Sequence, residues 1–177
     1  MTKTKNSARI SLIAAIARGT RTVGKEGGGI PWHIKEDFRD FKEKTMGHPL
    51  IFGRKTWEEF GGRPLPGRTH IIVTKDTGYE VPEGHFVCDS VESAIEKAQE
   101  IEEAQNSNGG EIFVAGGAQI YAAAIKHADR VYLTVVDVDM DGPTKFPDYT
   151  AEGFTKVVSS RKSSDENYSY EFLVLEK

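Results

Sequence analysis

The chain has 177 residues, 38% hydrophobic and 28% charged, a balance that suffices for one packed domain and excludes intrinsic disorder. Its 23 basic and 27 acidic residues leave a net charge of −4 with no basic block, which argues against nucleic acid as a partner. No stretch approaches the roughly 20 apolar residues that span a bilayer, and the polar Met1 to Arg9 segment precedes no signal-peptide core, so a cytoplasmic location without membrane contact is expected.

Arg9 to Ala17 is nearly continuously apolar and reads as a strand buried on both faces. Thr20 to Gly29 holds four glycines, at 24, 27, 28 and 29, and reads as a loop. Lys35 to Thr45 reads as a short helix, His48 to Gly53 as a strand stopped by glycine, and Thr56 to Phe60 as a helical turn. The run Gly61-Gly62-Arg63-Pro64-Leu65-Pro66-Gly67 cannot be regular structure, and Thr69 to Thr74 is a further strand. The single cysteine, Cys88, follows Phe86 and Val87 in what reads as a strand position and cannot form an internal disulfide. Val91 to Gln105 places apolar residues at 91, 94, 95, 98 and 101, the spacing of an amphipathic helix, with Asp89 or Ser90 as its cap and Asn106 to Gly110 as its end. Glu111 to Ala115 is a strand that runs through Gly116-Gly117 into a helix carrying Ile120, Tyr121 and Ile125. Val131 to Val138 is a long strand, and Phe154 to Ser160 with Tyr168 to Leu175 form a closing antiparallel hairpin.

Strands alternating with helices give an α/β fold around a mixed, mainly parallel sheet. In such sheets ligands bind beyond the carboxyl ends of the strands. Gly53-Arg54-Lys55-Thr56, Thr74-Lys75 and Gly116-Gly117 all fall there. Glycine lets backbone approach a phosphate, and three cations at neighbouring strand ends suit a ligand with several phosphates. Tight turns and ordinary surface basicity would produce the same residues. Gly29-Ile30-Pro31-Trp32 leads into a helix on which Asp37, Phe38 and Phe41 are neighbours. A carboxylate beside two rings suits a pocket for a flat, protonatable heterocycle, whereas a first-turn acid favoured by the helix dipole is the alternative. Arg68 follows proline-fixed backbone, which aims a guanidinium that can pair bidentately with a carboxylate; a solvated loop arginine is the alternative.

Taken together, these motifs resemble the dihydrofolate reductase family. The resemblance runs in order from Ile10 to Leu175 and rests on Ile10-Ser11-Leu12-Ile13-Ala14-Ala15, Val23-Gly24, Ile30-Pro31-Trp32, Asp37 to Lys42, Gly53-Arg54-Lys55-Thr56-Trp57, Arg63 to Arg68, Gly116-Gly117, Tyr132-Leu133-Thr134 and Phe146-Pro147-Asp148-Tyr149. It implies a single domain over 9–177 after a disordered tail over 1–8. The fold it implies is a sheet of about eight strands flanked by about four helices and closed by the hairpin. It implies NADPH-dependent reduction of dihydrofolate to tetrahydrofolate by a cytoplasmic monomer of one-carbon folate metabolism, an antifolate target that uses no metal. Asp37, Trp32 and Thr134 would be catalytic. Ile13, Ala14, Asp37, Phe38, Phe41, Phe60, Leu65, Arg68, Ala115 and Thr134 would meet the substrate. Ala15, Val23, Gly24, Ile30, Gly53, Arg54, Lys55, Thr56, Thr74, Lys75, Gly116, Gly117, Ala118, Gln119, Ile120 and Tyr121 would meet the cofactor, and the segment from Val23 to Pro31 would be a mobile lid.

Four positions depart from the family pattern. Gly27-Gly28-Gly29 makes the lid one glycine longer than in common bacterial forms. Ala115 replaces a branched residue, Gln119 stands where an arginine often meets the 2′-phosphate, and Pro143 replaces an acid found in some members. Two rivals remain at this point: a related pyrimidine or pterin reductase in riboflavin-type synthesis, and a folate- or nucleotide-binding module without catalysis.

Overall fold

The computed structural model describes residues 7–106 and 110–177. In chain order its elements are β1 (Arg9–Ala17), β2 (Thr22–Gly24), α1 (Lys35–Thr45), β3 (Leu50–Gly53), α2 (Arg54–Glu59), β4 (His70–Val73), β5 (Phe86–Cys88), α3 (Val91–Gln105), β6 (Glu111–Val114), α4 (Ala118–Ala124), β7 (Arg130–Val136), β8 (Thr144–Lys145), β9 (Lys156–Ser164) and β10 (Ser169–Glu176). A 3₁₀ turn, Ile125–His127, extends α4. The strands form one eight-stranded sheet, in the order β5-β4-β3-β6-β1-β7-β10-β9, and a separate two-stranded ribbon of β2 and β8.

The apolar run at the start of the chain becomes β1, paired in parallel with β6 on one side and β7 on the other. Alternation along the strands sends neighbouring residues to two large clusters on opposite faces of the sheet. Leu12, Ile51, Ile71, Ile112 and Val114 pack with Ala94, Ile95 and Ala98 of α3 and with Tyr121 and Ala124 of α4. Ile13, Leu50, Phe52, Ile72 and Phe113 pack in the other cluster with Trp57 of α2, Phe41 of α1, Leu65 and Ala115. Helix α3 starts on Ser90, whose hydroxyl accepts from the Ser93 amide at 3.0 Å while Ser93 Oγ accepts from the Ser90 amide at 3.2 Å. Helix α1 has no side-chain cap at Ile34. Its first-turn acids Glu36 and Asp37 and last-turn Lys42 and Lys44 instead complement the helix dipole.

The mixed sheet, the four helices and the closing hairpin match the expectation from sequence. The hairpin's first strand is displaced: it spans Lys156–Ser164, not Phe154 to Ser160. Phe154 is buried ahead of the strand and β9 is an exposed edge strand, so polar residues serve along its length. The ribbon of β2 and β8 pairs two short segments on either side of the lid and its neighbouring loop. Of the tail expected over 1–8, residues 1–6 lie outside the described residues. Ala8 is buried, its N–H donating to Gln99 Oε1 at 2.8 Å and its carbonyl accepting from Gln99 Nε2 at 2.9 Å. The chain is thus tied into the fold before Arg9.

Candidate active site

The residues singled out from sequence lie on β1 and β7, just beyond the carboxyl ends of β3, β4 and β6, on α1, and in the loops that precede α1 and β4. Asp37 lies in the first turn of α1, and Thr134 lies on β7, opposite Ala15 of β1. Thr134 is buried, and its hydroxyl donates to Asp37 Oδ1 at 2.5 Å. Burial raises the Asp37 carboxyl above the ordinary range; the Thr134 hydrogen bond opposes this, the Asp40 charge adds to it and Lys44 opposes it. Lys44 bridges to Asp40 at 2.7 Å and stands 4.9 Å over the Tyr132 ring. Asp40 and Lys44 were not anticipated as tuners of this carboxyl, although their i,i+3 and i,i+7 spacing from Asp37 was available in the sequence.

Trp32 is buried, and its Nε1 has no hydrogen-bond partner among the described residues. It packs in a third cluster with Ile34, Tyr170 and Phe172, against which Ala15 lies. Ile13, Phe41, Leu65 and Ala115 meet in one cluster, with Phe60 joined to it through Phe52 at 5.5 Å between ring centroids. Phe38 is 43% exposed, Phe60 41% and Ile30 43%, so three large apolar site residues offer surface from which a flat ligand can displace water. Phe38 also packs against His33, with ring centroids 5.0 Å apart and planes tilted by 43°.

Arg68 is buried, with 8% of its surface exposed. Its Nε donates to the Pro66 carbonyl at 3.1 Å and its Nη1 to Thr45 Oγ1 at 3.1 Å. No carboxylate pairs with it among the described residues, and desolvation lowers its pKa. A buried guanidinium without an anion is costly by itself and is well prepared for one from a ligand.

The glycine positions form a second strip. The Gly53 amide donates to the Gly116 carbonyl at 2.7 Å. A Cβ on Gly53 would lie 2.9 Å from Ile120 Cγ1, and one on Gly117 3.0 Å from Thr56 Oγ1. Gly116 has φ +119 and joins Gly117 through a cis peptide. Only glycine allows this approach of β3, β6 and α4. Tyr121 of α4 donates its hydroxyl to the Ile13 carbonyl at 2.7 Å, which ties the strip to the Asp37 side, and burial pushes that hydroxyl's pKa well up. Ala118 begins α4, followed by exposed Gln119. Arg54, Lys55 and Lys75 are exposed and Thr56 and Thr74 half-buried at the same edge. Arg54 is held between Glu58 at 2.9 Å and Asp76 at 3.4 Å and lies 4.8 Å over the Tyr79 ring. Exposed pairs of this kind yield readily to a multiply charged anion. Close-approaching backbone with several cations at its rim fits a dinucleotide carrying an additional phosphate.

Within the expected lid, Val23 and Gly24 lie in β2, and Gly27, Gly28 and Gly29 all have positive φ, at +85, +98 and +83. They close a tight turn in which the Lys25 amide donates to the Gly29 carbonyl at 3.1 Å. Beside it, the Gly142 amide donates to Thr22 Oγ1 at 3.1 Å, so this loop is fastened next to Pro143.

Comparison with known proteins agrees with this geometry. The family described as dihydrofolate reductase matches residues 9–177. The chain belongs to the dihydrofolate reductase family. It is 39% identical over 170 residues to dihydrofolate reductase type 3 of Salmonella typhimurium, spanning 95% of this chain and 98% of the relative. It is 38% identical over 170 residues to the dihydrofolate reductase of Bacillus subtilis (strain 168), with 95% and 94% covered. Among solved structures, dihydrofolate reductase from Enterococcus faecalis complexed with NADP(H) and RAB-propyl superposes with a TM-score of 0.80 at 30% identity, over 97% of each chain. Membership makes the protein an oxidoreductase, with NADPH as the family's cofactor. No helix among the described residues is long and apolar enough to cross a membrane.

Proposed function

We propose that the protein reduces 7,8-dihydrofolate to 5,6,7,8-tetrahydrofolate, with hydride passing to C6 and a proton to N5 under the influence of Asp37. The observation that carries this is the buried Asp37 carboxyl held by Thr134 beside aromatic residues. NADPH supplies the hydride. Asp37 binds the pterin N3 and 2-amino group, and its raised pKa lets the carboxyl hold a proton closer to neutrality, where it favours protonation at N5 through water. The Trp32 Nε1 donor, which lacks a protein acceptor among the described residues, suits it to hold that water. Thr134 fixes the carboxyl and supports the pterin amino group. Phe38, Phe41, Phe60, Leu65, Ile13, Ala14 and Ala115 exclude water around the pterin and aminobenzoyl rings, and Arg68 takes the glutamate α-carboxylate.

On the cofactor side, Gly53, Gly116 and Gly117 admit the pyrophosphate, with Ala118, Ile120 and Tyr121 adjoining. Arg54, Lys55, Thr56, Thr74 and Lys75 bind phosphate and ribose. Gln119 contributes polar contact without charge, so preference for the 2′-phosphate rests on Arg54 and Lys75. Ala15, Val23, Gly24 and Ile30 border the nicotinamide, and the segment from Val23 to Pro31 acts as a lid. Residues 9–177 form the catalytic domain. The form proposed is a cytoplasmic monomer.

The test is NADPH oxidation in the presence of 7,8-dihydrofolate, compared with a ribosylated diaminopyrimidine. Oxidation with dihydrofolate and its block by methotrexate are expected. Oxidation with the pyrimidine alone would move the activity to riboflavin-type synthesis, and NADPH binding without any turnover would make the protein a binding module.

A further inference from the structure

Two residues beyond Arg68 the chain places a histidine in the interior. His70 opens β4 and is fully buried. The Leu65 amide donates to its Nε2 at 3.2 Å. That nitrogen must therefore carry the lone pair, which puts the ring hydrogen on Nδ1, and Nδ1 donates to the Arg68 carbonyl at 3.1 Å. One imidazole thus closes both ends of Leu65-Pro66-Gly67-Arg68.

The ring has no freedom to turn. It stacks on Phe52, 6.0 Å between centroids and 15° between planes, and packs 5.4 Å from Trp57 and 5.1 Å edge-on from His85. His85 Nδ1 also accepts from the His70 amide at 2.9 Å, fixing the backbone that carries the ring. On the far side, the Gly67 carbonyl accepts from the Gly47 amide at 3.0 Å, and Gly67 itself has φ +75. The Arg68 side chain is set by Pro66 and Thr45, but its backbone is set by His70.

We propose that His70 is a positioning residue for substrate recognition: through its two ring nitrogens it fixes the loop that carries Leu65 and Arg68, and so determines how well the carboxylate end of the substrate is gripped. This rests on the reading of Arg68 as the site of the glutamate α-carboxylate. Burial favours the neutral ring, the form with one donor and one acceptor that the two contacts require. A benzene ring would fill the same space but leave the Leu65 amide and the Arg68 carbonyl without partners.

The experiment compares KM and kcat for 7,8-dihydrofolate and 7,8-dihydropteroate, which lacks the glutamate, in the wild type, Arg68→Leu, His70→Phe and His70→Asn. Arg68→Leu should abolish the preference for dihydrofolate. His70→Phe should erode that preference by about tenfold, through KM for dihydrofolate with kcat changed much less, as expected when two buried hydrogen bonds on a positioning loop are lost. His70→Asn, whose amide can reach the Arg68 carbonyl from the Nδ1 position, should restore part of it and serves as the measurement if His70→Phe does not fold. A merely structural role would lower stability while leaving the dihydrofolate-to-dihydropteroate ratio at its wild-type value, and that result overturns the proposal. If Arg68→Leu leaves the ratio unchanged, the Arg68 assignment falls and the His70 proposal falls with it.

Discussion

Thr134 Oγ1 donates a hydrogen bond of 2.5 Å to Asp37 Oδ1 and joins the first turn of α1 to the sheet across 97 positions of sequence. The bond favours the ionised carboxyl while burial disfavours it, so the two residues together set where Asp37 titrates. Thr134→Val removes the hydrogen bond that opposes burial and leaves the smaller opposing influence of Lys44 in place. The Asp37 pKa should rise further, moving the alkaline limb of the pH–rate profile to higher pH, with kcat/KM at neutral pH down by about tenfold from the lost positioning. An unshifted limb in a folded variant would show that the hydroxyl does not tune the acid.

Arg68 is buried with two hydrogen-bond acceptors and no anion among the described residues. Arg68→Leu should weaken dihydrofolate binding by about 2–5 kcal/mol, a rise in Kd of at least about 30-fold. NADPH affinity should stay as it is. Fluorescence titration with each ligand measures both, and an unchanged folate Kd removes Arg68 from the site.

Gly53 lies where β3, β6 and α4 converge, and its missing side chain is what makes room for Ile120. Gly53→Ala should cost about 1–3 kcal/mol of stability by overpacking, and NADPH should bind more weakly because the same backbone borders the cofactor strip. Urea unfolding and NADPH titration of one preparation test the pair of effects; a stable variant with wild-type NADPH affinity refutes the close-approach role.

Three groups give the unfolding free energy a pH dependence, and two of them, His70 and Glu36, stabilise the fold in separate windows. Burial holds His70 down at about 4, with the His85 and Arg68 charges acting in the same direction and its hydrogen bond to the Arg68 carbonyl opposing. Between pH 6.5 and about 4 the unfolded chain binds the proton that the folded ring refuses. The His70 contribution, about 3 kcal/mol, is therefore complete above pH 6.5 and is lost as pH falls to about 4. Glu36 is held at about 2 by hydrogen bonds from Arg161, Ser163 and Tyr170, so its contribution is complete above pH 4.5 and lost toward pH 2. Asp37, whose pKa is raised, acts in the opposite sense and costs stability as pH rises through the carboxyl range. Denaturant unfolding across pH should show the upper phase vanish in His70→Phe and the lower one shrink in Glu36→Gln.

Helices α1 and α3 were legible to the residue, because each joins a clear apolar spacing to a clear boundary: the glycine and proline punctuation before Lys35, and the Ser90 cap before Val91. The strands β1, β3, β4 and β6 were legible as apolar runs ended by glycine or a charged residue. The edge strand β9 was not placed correctly, since an exposed strand needs no apolar alternation and Ser159 to Ser164 carries none. The ribbon of β2 and β8 was missed because its two strands are short and 120 residues apart, held by contacts such as Gly142 to Thr22 that local sequence does not encode. Asp37, Thr134 and Arg68 could be picked out through motif resemblance, but their partners could not. The roles of Thr45, Asp40 and Lys44 are set by where side chains meet in three dimensions. His70 carried a usable signal, a titratable ring opening an otherwise apolar strand two positions after Arg68.

The most direct test of the central claim is single-turnover hydride transfer from bound NADPH to 7,8-dihydrofolate, followed by NADPH absorbance in the wild type and in Asp37→Asn from acid to neutral pH. Asp37→Asn keeps the shape of the side chain but not its titration. Its rate should fall by about 100-fold or more at neutral pH, recover toward acid pH as solution protonates the substrate, and leave NADPH affinity intact. A variant that transfers hydride at the wild-type rate at neutral pH would contradict the assignment of Asp37 as the group that promotes protonation.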